Sequence, residues 1–181
     1  MILEGRTVRL RPLSLDDLDS AMQWVNDPEV TRTLLTGRYP TTREAERKWF
    51  EEHVDINTRE ACYAIETLAG EYLGGASLFR IVPVERTAEL GIVIGRKTEW
   101  GKRYAAEAMQ LLLDYGFREL NLHLIYLHVY ADHSRAVRLY EKLGFTTEGC
   151  LRDRVFRDGR YHDFLAMSIR RSEWEIRRGA P

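Results

Sequence analysis

The residues best equipped for chemistry lie between Glu89 and Phe145. A strand-like run, residues 88–95, leads into a charged glycine turn, Trp100-Gly101-Lys102-Arg103-Tyr104-Ala105, and then into a long amphipathic stretch. The first amides of a helix have no intrahelical acceptor, and the helix dipole adds partial positive charge there. Gly101 to Ala105 sit at such a start, and Lys102 and Arg103 add two cations, so the turn suits a phosphate. An ordinary turn with exposed charges fits the same letters. Five residues separate Gly95 from Gly101, one more than in a nucleotide-hydrolysing P-loop, and Arg103 stands where that loop needs a magnesium-holding Ser or Thr. No G-x-G-x-x-G occurs, which removes support for hydride transfer from a dinucleotide.

Two further side chains lie one element away from this turn. Tyr140 shares a helical face with Ala136, Val137 and Leu143, and by spacing alone it is a core tyrosine. Glu89 falls on the same face of its strand as Gly91 if alternation is regular, whereas a bulge near Gly91 would re-aim both. An ion pair or a solvent-facing glutamate explains Glu89 equally well, and Glu85 in the preceding turn is a second carboxylate. His123, His128 and His133 recur every five residues, match no zinc motif and fall on alternating strand faces, so no metal is expected. Cys62 has no identified histidine partner for nucleophilic work.

The elements that must position these groups follow from periodicity and turn chemistry. Residues 7–12 alternate as a strand stopped by Pro12. Ser14 caps a helix carrying Leu15, Leu18, Met22 and Val25, which ends at Asp27-Pro28. Thr41 or Thr42 caps a second helix with Ala45, Trp49, Phe50 and Val54 facing inward. Residues 61–67 and 72–82 read as a hairpin about Ala69-Gly70-Glu71, followed by the strand at Ala88. A broad apolar stripe from Ala105 to Leu120 predicts a long helix. Residues 124–130 are rich in strand formers, and a shorter helix follows with Gly144 as its C-cap. A last hairpin turns at Asp158-Gly159, and a basic tail closes the chain. Antiparallel runs flanking one crossover helix predict a mixed α/β (α+β) sheet of six to seven mostly antiparallel strands with about four helices, in one domain spanning residues 1–181.

Composition narrows the classes. The chain of 181 residues is 44% hydrophobic and 30% charged, with a net charge of −1, which is ordinary for a globular protein and offers no basic field for nucleic acid. Cys62 and Cys150 stand far apart without a CxxC spacing, favouring reduced thiols and a cytoplasmic setting. The N-terminal residues lack the apolar run of a signal peptide, and no stretch reaches membrane-spanning length.

Taken together, residues 89–95, 100–108 and 138–145, with Glu148-Gly149, residues 156–163 and Trp174, resemble the GNAT superfamily of N-acetyltransferases. The likeness is to the branch holding ribosomal-protein N-terminal and spermidine N-acetyltransferases, and it is weak before Gly70. The resemblance implies an acetyl-CoA cosubstrate, no metal, and a primary amine acceptor: a protein N-terminus, a polyamine, or an amino group on a sugar or antibiotic. It also implies that the diphosphate turn falls on Trp100, Gly101, Lys102, Arg103, Tyr104 and Ala105, continuing to Ala106. Arg103 replaces the family's glycine, and a negative φ is expected there. Ile92, Val93 and Ile94 pair with the pantetheine amides. His133, Arg135, Ala136, Tyr140 and Lys142 line the opposite side, with His133 where asparagine is common. Tyr140 becomes the proton donor to the departing thiolate, and Glu89 the candidate base. Oligomers are common in the branch, which makes a homodimer an expectation, and a non-catalytic acyl-CoA-binding or partner-binding module is the alternative on the same fold.

Overall fold

The computed structural model describes residues 1–35, 37–55 and 59–179. Its sheet has eight strands in the order β1-β2-β3-β4-β5-β6-β8-β7. These are β1 (Leu3–Glu4), β2 (Val8–Pro12), β3 (Ala61–Thr67), β4 (Tyr72–Val82), β5 (Thr87–Ile94), β6 (Leu124–Tyr130), β7 (Thr146–Arg157) and β8 (Arg160–Arg170). Neighbours run antiparallel except β5 and β6, which are parallel. That single parallel pair needs the crossover helix the sequence predicts. The expected mixed α/β fold is present, with one more strand than the upper expectation: β1, two residues long, carries too little pattern to read.

Among the described residues six α-helices accompany the sheet: α1 (Leu18–Ala21), α2 (Pro28–Thr31), α3 (Arg43–His53), α4 (Tyr104–Arg118), α5 (Ser134–Leu143) and α6 (Arg171–Arg178). The helix expected from Ser14 starts as a 3-10 turn, Leu15–Asp17, before α1. α1 ends at Ala21, short of the Asp27-Pro28 stop expected, and that dipeptide instead opens the next helix. Asp27 accepts the Glu29 amide and Pro28 occupies the first turn of α2, where its missing N–H costs nothing. The basic tail is a helix because Trp174 is buried, its Nε1 donating to Asp114 at 3.1 Å while its ring lies 5.2 Å from Phe117.

Alternation gives the sheet two apolar faces. One carries Leu10, Tyr63, Leu78 and Leu90 and packs on Met109, Leu112, Leu113 and Phe117 of α4. The other carries Cys62 and Ala64 beneath Leu18, Trp24, Val30 and Phe50 of the N-terminal helices. Each such aliphatic or aromatic side chain contributes roughly 1.5–3 kcal/mol by leaving water. Glu107 ties the first loop to α4 by accepting the amides of Arg6 and Thr7 and the Thr7 hydroxyl. The outcome is a sheet covered on both faces, with the parallel pair β5 and β6 near its centre. No helix of the described residues is long and apolar enough to cross a membrane.

Candidate active site

β5 and β6 pair only at Thr87–Leu124, Ala88–Ile125 and Glu89–Tyr126. On its other edge β5 stays paired to β4 as far as Ile94. Beyond Glu89 the two central strands therefore splay, and the β6-facing edge of Ile92, Val93 and Ile94 has no strand partner among the described residues. An extended amide-bearing chain can complete such an edge as an added strand would. A cavity of about 730 Å³ occupies this notch.

The turn closes one end of the cavity. Trp100 Nε1 donates to the Ile94 carbonyl at 2.7 Å, joining turn to strand. Gly101 has φ +90°, a conformation glycine adopts without cost. Arg103 has φ +68° and precedes α4 as its N-cap. The negative φ expected there is overturned: the turn enforces the left-handed conformation, and arginine adopts it at a cost of about 1–2 kcal/mol. The amides of Gly101 to Ala105 make no main-chain hydrogen bond among the described residues, and α4 is long enough to carry a full dipole. A Cβ added at Gly101 would sit 3.9 Å from Arg135 Nη2, so a guanidinium lies over the turn. Arg32, Arg103 and Arg135 all line the cavity, and none has an ion-pair partner among the described residues. Free amides with three uncompensated cations suit a diphosphate.

The opposite wall comes from α5. His133, Ala136, Leu139 and Tyr140 face the cavity with Arg135. Burial, with Arg135 beside it, pushes the His133 imidazole below its ordinary range. Burial pushes the Tyr140 phenol up to about 12, so it keeps its proton at neutral pH. Its hydroxyl has no hydrogen-bond partner among the described residues and can donate to a group in the notch.

Three expected residues lie elsewhere. Lys102 does not line the cavity, and its Nζ is 2.8 Å from Glu99 Oε2. Lys142 is exposed at the far end of α5, its carbonyl accepting from Arg177. Glu89 is only 2% exposed, with one oxygen 2.6 Å from Arg80 and the other 2.8 Å from His128 Nδ1. At this burial the carboxylate is closed off from a substrate in the notch, so Glu89 is not placed to act directly as the base. The bulge lies on β4, between Phe79 and Val82, rather than at Gly91. Arg80 takes φ +51° there. Cys62 and Cys150 are free thiols, and burial raises that of Cys62, away from nucleophilic use.

A second cavity, about 410 Å³, lies beneath α1–α3. Trp24, Trp49, Phe50 and Tyr72 wall it, and Val30, Leu34 and Val93 also line the notch, so the two adjoin. Trp24 lies against Gly95, where any Cβ would overlap its ring. Glu46 lines this cavity with no cation partner among the described residues, and burial raises its carboxyl. Two of the aspartates near α1 are occupied: Asp17 pairs with Arg11 and Asp19 with Arg43. Glu46 stands in a run of charged helix residues, and only the fold shows that it borders one hollow with Trp49.

Comparison with known proteins agrees with this geometry. A family model described as an acetyltransferase (GNAT) domain matches residues 7–146. Spermidine N(1)-acetyltransferase of Escherichia coli K12 is 34% identical over 165 residues, covering 91% of this chain and 87% of that protein. The Vibrio cholerae spermidine N(1)-acetyltransferase is 33% identical, covering 91% and 94%. A crystal structure of spermidine N-acetyltransferase from Vibrio cholerae, in complex with CoA and spermine, superposes with a TM-score of 0.85 at 32% identity, covering 92% of this chain and 97% of that one.

Proposed function

Since this chain belongs to the GNAT acetyltransferase family and is an acetyl-CoA-dependent N-acetyltransferase, we propose that its acceptor is a polyamine-like primary amine that enters through the aromatic cavity. The observation that carries the site assignment is the meeting, in one notch, of the unpaired edge of β5, the free amides opening α4 and the phenol of Tyr140.

In this reading, Ile92, Val93 and Ile94 hold the pantetheine arm by main-chain pairing. Gly101 to Ala106, with Arg103 and Arg135, hold the diphosphate, and His133 and Ala136 close the wall. The acceptor nitrogen must attack as a free amine, although an alkylamine has a pKa of about 10. A β5 amide facing the notch stabilises the oxygen that gains charge as nitrogen adds to the carbonyl carbon. Tyr140 donates its proton to the departing sulfur, a task suited to a phenol that stays protonated at neutral pH.

Glu46 supports the choice of acceptor. The carboxylates bordering the adjoining notch are engaged, Glu29 with Lys97, Glu99 with Lys102 and Asp132 with Arg160. Glu46 is left to receive a second ammonium while the spacer lies on Trp24, Trp49 and Phe50. Spermidine, the substrate in the names of the relatives above, has this form. The test is free-thiol release from acetyl-CoA with a panel of diamines and polyamines, a peptide N-terminus and an aminosugar. Turnover with the di- and polyamines is expected. Turnover with the peptide or aminosugar alone would reject the acceptor assignment, and no turnover with any amine would favour a binding module.

A further inference from the structure

The proton that the acceptor nitrogen must lose has no taker in the assignments above, and the sheet supplies one. Ile125, Leu127 and Val129 of β6 point into the core on the α4 side, so Tyr126 and His128 point to the other face. Glu89–Tyr126 is the last β5–β6 pair. His128 is therefore the first residue of β6 beyond the pairing that shares a face with Glu89, at the apex where the strands part. Its Nδ1 lies 2.8 Å from Glu89 Oε1, and its side chain is 25% exposed against 2% for Glu89. The opposite oxygen of Glu89 is held at 2.6 Å by Arg80, from the β4 bulge.

We propose that His128 is the general base of the acetyl transfer and that Glu89 is its positioning residue. The proposal rests on the acetyltransferase reading of the same notch. A carboxylate can only accept, so Nδ1 carries the hydrogen and Nε2 is left bare, the tautomer a base requires. Arg80 fixes Glu89 by its other oxygen, and Glu89 steadies the imidazolium that forms, the division of labour found in carboxylate–histidine pairs on unrelated folds. As the acceptor nitrogen bonds to the carbonyl carbon, one of its protons passes to Nε2 of His128. The carbon–sulfur bond then breaks, and sulfur takes the Tyr140 proton. His128 releases its proton to solvent and Tyr140 takes one back, giving amide and free thiol. His128 faces Glu89 from β5 and Tyr126 on its own strand, Arg80 from β4 reaches Glu89, and Ser168 of β8, paired with Tyr126, donates to Glu148 of β7. Tyr126 is pushed up by burial and by the Glu89 charge, so it remains a neutral phenol.

Wild-type enzyme, His128→Gln, His128→Ala and Glu89→Gln are compared with an amine the wild type acetylates. His128→Gln keeps an N–H donor toward Glu89 but cannot take a proton, and kcat should fall at least about 100-fold. The acid side of its pH–kcat profile should lose one unit of slope, with acetyl-CoA Kd within twofold of wild type. Added imidazole should restore kcat of His128→Ala at least tenfold. Glu89→Gln should lower kcat about tenfold or more with unchanged acetyl-CoA Kd. Unchanged kcat and slope in a folded His128→Gln would overturn the assignment, as would a rate loss with wild-type slope and no imidazole rescue. Failure of the wild type to acetylate any amine would instead remove the acetyltransferase reading and this proposal with it.

Discussion

Trp100 Nε1 donates to the carbonyl of Ile94 across 2.7 Å, so the turn proposed to meet the diphosphate and the strand proposed to meet the pantetheine arm are fastened to each other. A cosubstrate spanning both gains from not having to order them. Trp100→Phe keeps the ring and removes the bond. A neutral hydrogen bond is worth about 1 kcal/mol, so acetyl-CoA Kd should rise roughly fivefold by calorimetry, with kcat near wild type. An unchanged Kd would mean the strand and turn hold their places without this bond.

Arg103 sits in the left-handed region at φ +68°. Arg103→Gly should stabilise the free protein by about 1 kcal/mol, raising Tm by about 2–4 °C for a chain of this size. The same change removes a cation from the turn proposed to hold the diphosphate, so acetyl-CoA affinity should fall, more at low salt than at high. A lowered Tm would show that the guanidinium contributes more to folding than the backbone conformation costs.

Tyr140→Phe should reduce kcat by about 100-fold or more, the scale of a lost proton donor, and leave acetyl-CoA Kd within twofold. Rapid-quench measurement of the first turnover separates this from slow product release. A first turnover at the wild-type rate would take Tyr140 out of the chemical step.

Glu107 should make stability pH-dependent. Burial acts to raise its carboxyl, but hydrogen bonds from Thr7 and the Arg6 amide outweigh it and hold the group below the usual range. A depressed folded pKa means the contribution is complete above the unfolded value, about 4.3, and is lost as pH falls through the folded one. Urea unfolding of wild type and Glu107→Gln should differ by about 1–2 kcal/mol at pH 7 and converge in strong acid. A gap that stays constant with pH would assign the effect to packing.

Glu46→Gln should raise KM for a diamine about tenfold, as expected for losing a charged hydrogen bond, while KM for a monoamine of similar length and kcat for both change little. Equal effects on the two amines would place Glu46 outside acceptor recognition.

Much of this arrangement is legible in the sequence where a local rule governs. Thr42 caps α3 through the Ala45 amide, Asp158-Gly159 turns the last hairpin, and Gly144 ends α5 at φ +103°. Each is decided within a few residues. The turn at Gly101 and the phenol at Tyr140 are also visible, and the fold brings both to one cavity. What escapes is set by tertiary partners. The φ of Arg103 answers to the turn rather than to the preference of arginine. The last helix exists because Trp174 finds Phe117 and Asp114 about 60 residues back. His128 looks like one of three regularly spaced histidines until β5 and β6 are placed side by side and Glu89 faces it. Glu46 passes for a solvated helix residue until α3 covers the sheet.

The central claim is that free amides at the start of α4, with Arg103 and Arg135, grip a diphosphate while the open edge of β5 holds the arm. Calorimetric titration with acetyl-CoA and with acetyl-pantetheine, which keeps the arm and thioester but lacks the diphosphate, tests it most directly. Saturable one-site binding of acetyl-CoA, at least about 100-fold tighter than acetyl-pantetheine, is the predicted result. Equal affinity for the two, or no saturable heat with acetyl-CoA in folded protein, would contradict the account.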